Sequence, residues 1–198
     1  MTEITDTRFT PGTFTPAPER ATRSRMIAAQ GRMETILFLR HGEQQLLSII
    51  IPLAMLVIAA RIPLLGEDRG VTEIFPMMLA IATTSSGFTG QAIALAFDRR
   101  YGALKRTGAS GVPAATIIAG KVIAVTVMAA LQAVLLGGTA LLLGWRVSPA
   151  GLLLGVVVLL VGVAAFTALG LLMGGTLPAE LVLALANLIW VILVGIVG

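Results

Sequence analysis

Apolar runs of about twenty residues alternate with short polar breaks along most of the chain. A helix needs about 20 consecutive apolar residues to cross a hydrocarbon core of roughly 30 Å. The pattern predicts five such spans, at about 46–65, 74–97, 114–143, 152–172 and from about 181 to the end. The polar breaks at 66–73, 144–149 and 174–180 read as turns. Pro52 permits a kink in the first span, and Arg61 stands near its far end. The third run would be a helix about 45 Å long, so its first turns, with Lys121, are expected in the membrane interface. The fold class is all-α, a polytopic integral membrane protein.

Two stretches precede the spans. Residues 1–20 hold Pro11, Gly12, Pro16 and Pro18 among threonines, and read as a disordered tail with no function assigned. Residues 21–43 carry Met26, Ala29, Met33, Ile36 and Leu37 on one helical stripe. Arg25 and Arg32 border it on one side, Arg23 and Glu34 on the other. Arginines beside an apolar stripe can reach headgroups, so an interfacial helix is expected here; a helix packed on protein would show the same pattern. The domain reading is a tail at 1–20, an interfacial helix at 21–43 and a membrane domain at 44–198.

Charge sharpens this picture. The chain is 57% hydrophobic and 12% charged, against roughly 25% charged residues in soluble domains. The interior stretch 97–113, FDRRYGALKRTGASGVP, packs Asp98, Arg99, Arg100, Lys105 and Arg106 into nine residues. Each charge at the centre of a membrane helix costs about 2.5–3.5 kcal/mol, so this loop lies in water or among headgroups. Arg8, Arg20, Arg23, Arg25, Arg32, Arg40, Arg99, Arg100, Lys105, Arg106 and Lys121 fall on one side of the predicted map. Arg61, Arg69 and Arg146 fall on the other. The asymmetry predicts a cytoplasmic N-terminus and a cytoplasmic loop. With the basic residues so placed, the net charge of +4 points to membrane topology and not to nucleic acid.

Candidate chemistry is sparse. There is no cysteine, and His41 is the one histidine. Ser85 and Ser86 lack a nucleophile-elbow pattern, so no catalytic residue is assigned. No carboxylate sits in mid-span and no His/Asp/Glu set has ligand spacing, so no metal site and no ion-coupled pump is expected. No GxxxxGK[ST] loop is present, so energy must come from a separate ATPase, and no cofactor is expected on this chain. Span two carries Thr83, Gly87, Gln91 and Ala94 at helical spacing, with Ser86 beside them. These residues could line a translocation path or pack helices closely through small side chains. Gln132 and Asn187 are costly to leave unpaired in lipid, and each is expected to face protein or a cavity. Gly170 and Gly174 form a weak small-xxx-small pair.

The run 97–121, with Phe97, Arg99, Gly102, Leu104, Lys105, Arg106, Pro113, Gly120 and Lys121, resembles the loop of type-2 ABC transporter permeases. Asp98 stands where that loop carries an acidic or basic residue, and Tyr101 where it carries a more polar one. The stretch before span one and the region of Asn187 are also similar. The resemblance implies six spans, a homodimer or heterodimer of permeases in the lipid bilayer, and a cytoplasmic ABC ATPase subunit that pushes on a coupling helix. It implies Asp98, Arg99, Arg100, Tyr101, Gly102, Leu104, Lys105 and Arg106 as the coupling residues. With five spans predicted, a shortened or partial form is expected. Drug-resistance permeases are the branch it resembles, so the expected activity is export of a drug-like or lipid-like amphiphile across the cell membrane. Export of a polysaccharide or lipid-linked glycan, and a non-transporting membrane scaffold, are the alternatives.

Overall fold

The computed structural model describes residues 10, 13, 21–40, 42–61 and 70–197. The remainder of the proposed tail, His41, the end of the first predicted span and residues 66–69 lie outside the described residues. Those described are helical, with no strand among them: α1 (Arg23–Arg40), α2 (Gly42–Arg61), α3 (Val71–Thr84), α4 (Gly90–Arg100), α5 (Ala103–Ala109), α6 (Ala114–Leu142), α7 (Pro149–Thr176) and α8 (Ala179–Val197).

Helices α6, α7 and α8 are each long and apolar enough to cross a membrane, and the Ser48–Arg61 part of α2 is a shorter apolar helix. Between α3 and α4 the chain stays helical through a π turn, Ser85–Thr89. The predicted second span is therefore one helical rod with a wide turn at its middle, which hydropathy alone does not reveal. Ser148 caps α7, its hydroxyl accepting from the Gly151 N–H at 3.1 Å, and α7 continues to Thr176, about a turn beyond its predicted end.

The α3–π–α4 rod is the hub. It touches α2, α6, α7 and α8. Leu56, Ile74, Phe75, Met78, Ala82, Leu136 and Ala140 form one buried cluster where α2, α3 and α6 meet. Ala92, Ala96, Val182 and Ala186 form a second where α4 meets α8. In contrast α7 keeps Leu152, Leu153, Leu154, Val158 and Val161 exposed, an apolar surface that suits lipid and would be costly in water.

Gly170 and Gly174 turn out to matter directly. A Cβ on Gly170 would lie 2.6 Å from the Phe88 carbonyl oxygen, and one on Gly174 would press on that of Ala92. The backbones of α7 and the central rod thus approach as closely as small residues allow.

On the apolar stripe of α1 Met26 is half-buried, and the rest of the stripe is exposed. Met33, Ile36 and Leu37 are exposed, while Gly31 on another face is buried against Ile123 of α6. The helix is described as far as Arg40 and α2 from Gly42.

Candidate functional site

The charged residues of the 97–113 stretch separate into three groups. The first is the end of α4. Arg99 donates through Nη1 to the carbonyls of Gly174, at 2.8 Å, and Leu177, at 3.1 Å. Arg100 pairs with Glu180. These bonds hold α4 to the turn between α7 and α8. The resemblance places both arginines in the coupling set of the 97–113 loop. They instead complete the second span and close its end.

The second group is the break. Tyr101 follows α4, and Gly102 takes a left-handed φ of 72°, which costs roughly 1–2 kcal/mol for a residue with a Cβ. Helix α5 starts only at Ala103. Tyr101, Leu104 and Lys105 are therefore not successive turns of one helix. Tyr101 is 67% exposed, stacked on Phe97 with ring centroids 5.9 Å apart. Arg106 folds back and donates to the Tyr101 carbonyl at 3.2 Å. Leu104 is half-buried and lines a groove with Lys105, Leu177, Pro178 and Glu180. Among the described residues the exposed aromatic of this end is thus Tyr101, and Leu104 turns toward its own chain.

The third group centres on Lys121, whose side chain is only 5% exposed. Its Nζ donates to Asp98 Oδ2 at 3.0 Å and to Glu34 Oε2 at 3.2 Å. Asp98, assigned by resemblance to the coupling set, has its carboxylate on this ammonium. The signal that could have found the trio was Lys121 inside an apolar run, since an ionisable residue there needs a named partner. All these contacts gather at one end of the bundle. At the other end Phe75 and Trp145 pack ring to ring at 4.5 Å.

A cavity of about 500 Å³ opens between α2, the central rod and α8. Phe38, Met55, Met78, Ile93, Trp190 and Val194 supply most of its apolar wall, and Ser48, Ser85 and Ser86 supply hydroxyls. Among the described residues no charged side chain lines it. Of the candidate path residues, Ser86 and Ala94 reach its wall, and Ser86 brings the polar group. Its hydroxyl lies 3.1 Å from the Ala82 carbonyl and 3.4 Å from Gln132 Oε1. Thr83 donates to the Leu79 carbonyl at 2.8 Å. Gly87 packs on Thr167, Val125 and Phe166, and Gln91 and Gln132 are buried. Asn187 departs from expectation: it is exposed on α8 and its amide donates to the Leu183 carbonyl of its own helix at 2.8 Å. Trp190, Met55 and Met78 were missed because an apolar residue in an apolar run carries no local signal.

Comparison with curated proteins and with solved structures gives no match. The family model for ABC-2 type transporters matches residues 27–197, which takes in every described helix from Ile27 onward. The chain therefore belongs to the ABC-2 type transporter family, as a membrane-embedded transport subunit and not a catalytic one.

Proposed function

We propose that the chain is the permease of an ATP-driven exporter that moves an uncharged or weakly polar amphiphile out of the cell. Family membership implies pairing with an ABC ATPase, and the exposed Tyr101–Arg106 corner is where that ATPase docks. Tyr101 is the knob. An exposed aromatic held in place by a stack and a helix break loses little freedom on binding, and such residues dominate interface energies. Lys105 and Arg106 set its register against acidic groups. Two permease chains act together in the plasma membrane, with the N-terminus and α5 cytoplasmic as the basic residues demand.

The lining of the cavity is the observation that carries the cargo assignment. Apolar walls with a few hydroxyls suit a drug-like or lipid-like molecule, since ligand pockets are mostly apolar with a few placed polar groups. A glycan would leave its many hydroxyls without partners there, at a cost for each. A mere scaffold has no use for the cavity.

The test is purified permease reconstituted with its ABC ATPase. Amphiphilic cargo is expected to stimulate ATP hydrolysis, and Tyr101→Ala to weaken association by about 30-fold or more, the range of an interface hot spot. Unchanged association in Tyr101→Ala would remove the corner from docking. Stimulation by oligosaccharide but not by amphiphile would reverse the cargo assignment.

A further inference from the structure

Lys121 joins three elements that are far apart in sequence. It lies two turns into α6, Asp98 sits near the end of α4, and Glu34 lies on α1. The trio is built with care. Gln30 Nε2 donates to Glu34 Oε1 at 3.1 Å, which leaves Oε2 to Lys121. Where α1 crosses α6, Gly31 and Gly120 bring the two helices into close contact: a Cβ on Gly31 would lie 3.0 Å from Ile123 Cδ1. Glycine crossings give proximity but little directional hold. Ion pairs do hold: Asp98 is 38% exposed, but the Lys121 side chain is 5% exposed, and removing its partners strands that charge in low dielectric.

We infer that Lys121 is a positioning residue for transport, a node that makes α1, α5 and the base of α6 move as one body. Helix α5 lies between Asp98 and Lys121 in the chain, so their ion pair closes the frame α4–α5–α6. A displacement of α5 cannot dissipate in the Tyr101–Gly102 break, because both ends of the frame are pinned together. Glu34 then ties α1 to that frame. The apolar stripe of α1, with Met33, Ile36 and Leu37 exposed, is carried along the membrane surface with α6. The interfacial helix is a driven arm and not a passive float. The node stands on its geometry; its use in transport rests on the function proposed above.

Hydrogen exchange on the purified full chain in lipid discs tests the node without any ATPase. Lys121→Met is expected to speed amide exchange about tenfold or more in both Arg23–Arg40 and Ala103–Ala109, while Pro149–Thr176 is unchanged. Glu34→Gln, a milder change that keeps the side-chain shape, is expected to speed Arg23–Arg40 alone. If Lys121→Met loosens one arm or neither, or if it fails to fold and Glu34→Gln leaves α1 unchanged, the node is refuted.

A second measurement asks about motion. Gly31→Cys with Ile123→Cys places two thiols in a chain that has no other cysteine. The Cβ positions are 3.2 Å apart, a few tenths short of the usual disulfide range of roughly 3.5–4.5 Å. With the ATPase present, the oxidised pair is expected to export cargo within about twofold of the reduced pair, since helices that move together lose nothing when bridged. Loss of export on oxidation, regained on reduction, would show that α1 slides on α6 and would overturn the proposal. If the unmodified permease never stimulates the ATPase, the exporter reading falls, and the exchange experiment alone decides the node.

Discussion

Glycine contributes here by what it allows to approach. Gly170 seats against the Phe88 carbonyl, and Gly155, on the same helix, has nothing within 4 Å of where its Cβ would be. The two positions make a matched pair. Gly170→Val is expected to lower stability by about 1–3 kcal/mol, the usual cost of forcing bulk into a packed contact. Gly155→Val points its side chain at lipid and is expected to leave stability unchanged. Thermal unfolding in detergent, wild type beside each variant, reads both; equal midpoints would mean that α7 is not seated on the central rod. Gln132 makes the complementary point. It is fully buried with Nε2 lacking a protein partner, yet its other end meets Ser86. The expectation that an amide in a span must face protein holds for Gln132. Asn187 satisfies its amide on its own helix instead, an escape that spacing along the chain does not rule out.

At the scale of an element, the π turn is the feature to explain. A π turn inserts one residue into an α-helix, and such bulges are frequent at functional sites. Ser86, Gly87, Phe88 and Thr89 are buried within the turn, while Ser85 is half-buried on the cavity wall. Deleting Ser85 would remove the inserted residue and let α3 and α4 join as a regular helix, with each keeping its own packing face. Membrane insertion and thermal stability are expected to hold, and cargo-stimulated turnover to fall, because the cavity wall is reshaped. A deletion variant that fails to insert would mean that the turn is needed to align α3 with α4. A variant with full turnover would make the turn incidental. The corner at Tyr101 and Gly102 shows a similar limit of sequence reading. Gly102 was legible as part of a motif, but not the left-handed backbone with which it parts α4 from α5.

For the whole molecule, charge divides the bundle into two ends. Arg99, Arg100 and Lys121 are bonded at one. Arg146 follows the Phe75–Trp145 pair at the other. By the positive-inside rule the first end is expected in the cytoplasm. Single cysteines at Lys105 and Ser148, both exposed, check this with an impermeant thiol reagent on intact cells. Position 148 is expected to label at once and position 105 only after permeabilisation; the reverse would invert the molecule.

Hydropathy and basic residues alone determined that this chain is helical, that it carries helices fit to span a membrane, where those helices lie to within a few residues, and which charged stretch stands apart from them as a loop. They could do so because partition between water and hydrocarbon depends on each residue and its near neighbours. The central role of the second span, the seating of Gly170 and Gly174, the inward turn of Leu104 and the lining of the cavity were decided by the tertiary structure. So was the Lys121 node, whose partners lie 87 and 23 positions away in the chain. Each of these depends on how a helix is rotated about its axis and what it meets there. In a run that is apolar on every face, the sequence carries no moment to set that rotation; backbone approach, buried ion pairs and side-chain fit set it instead.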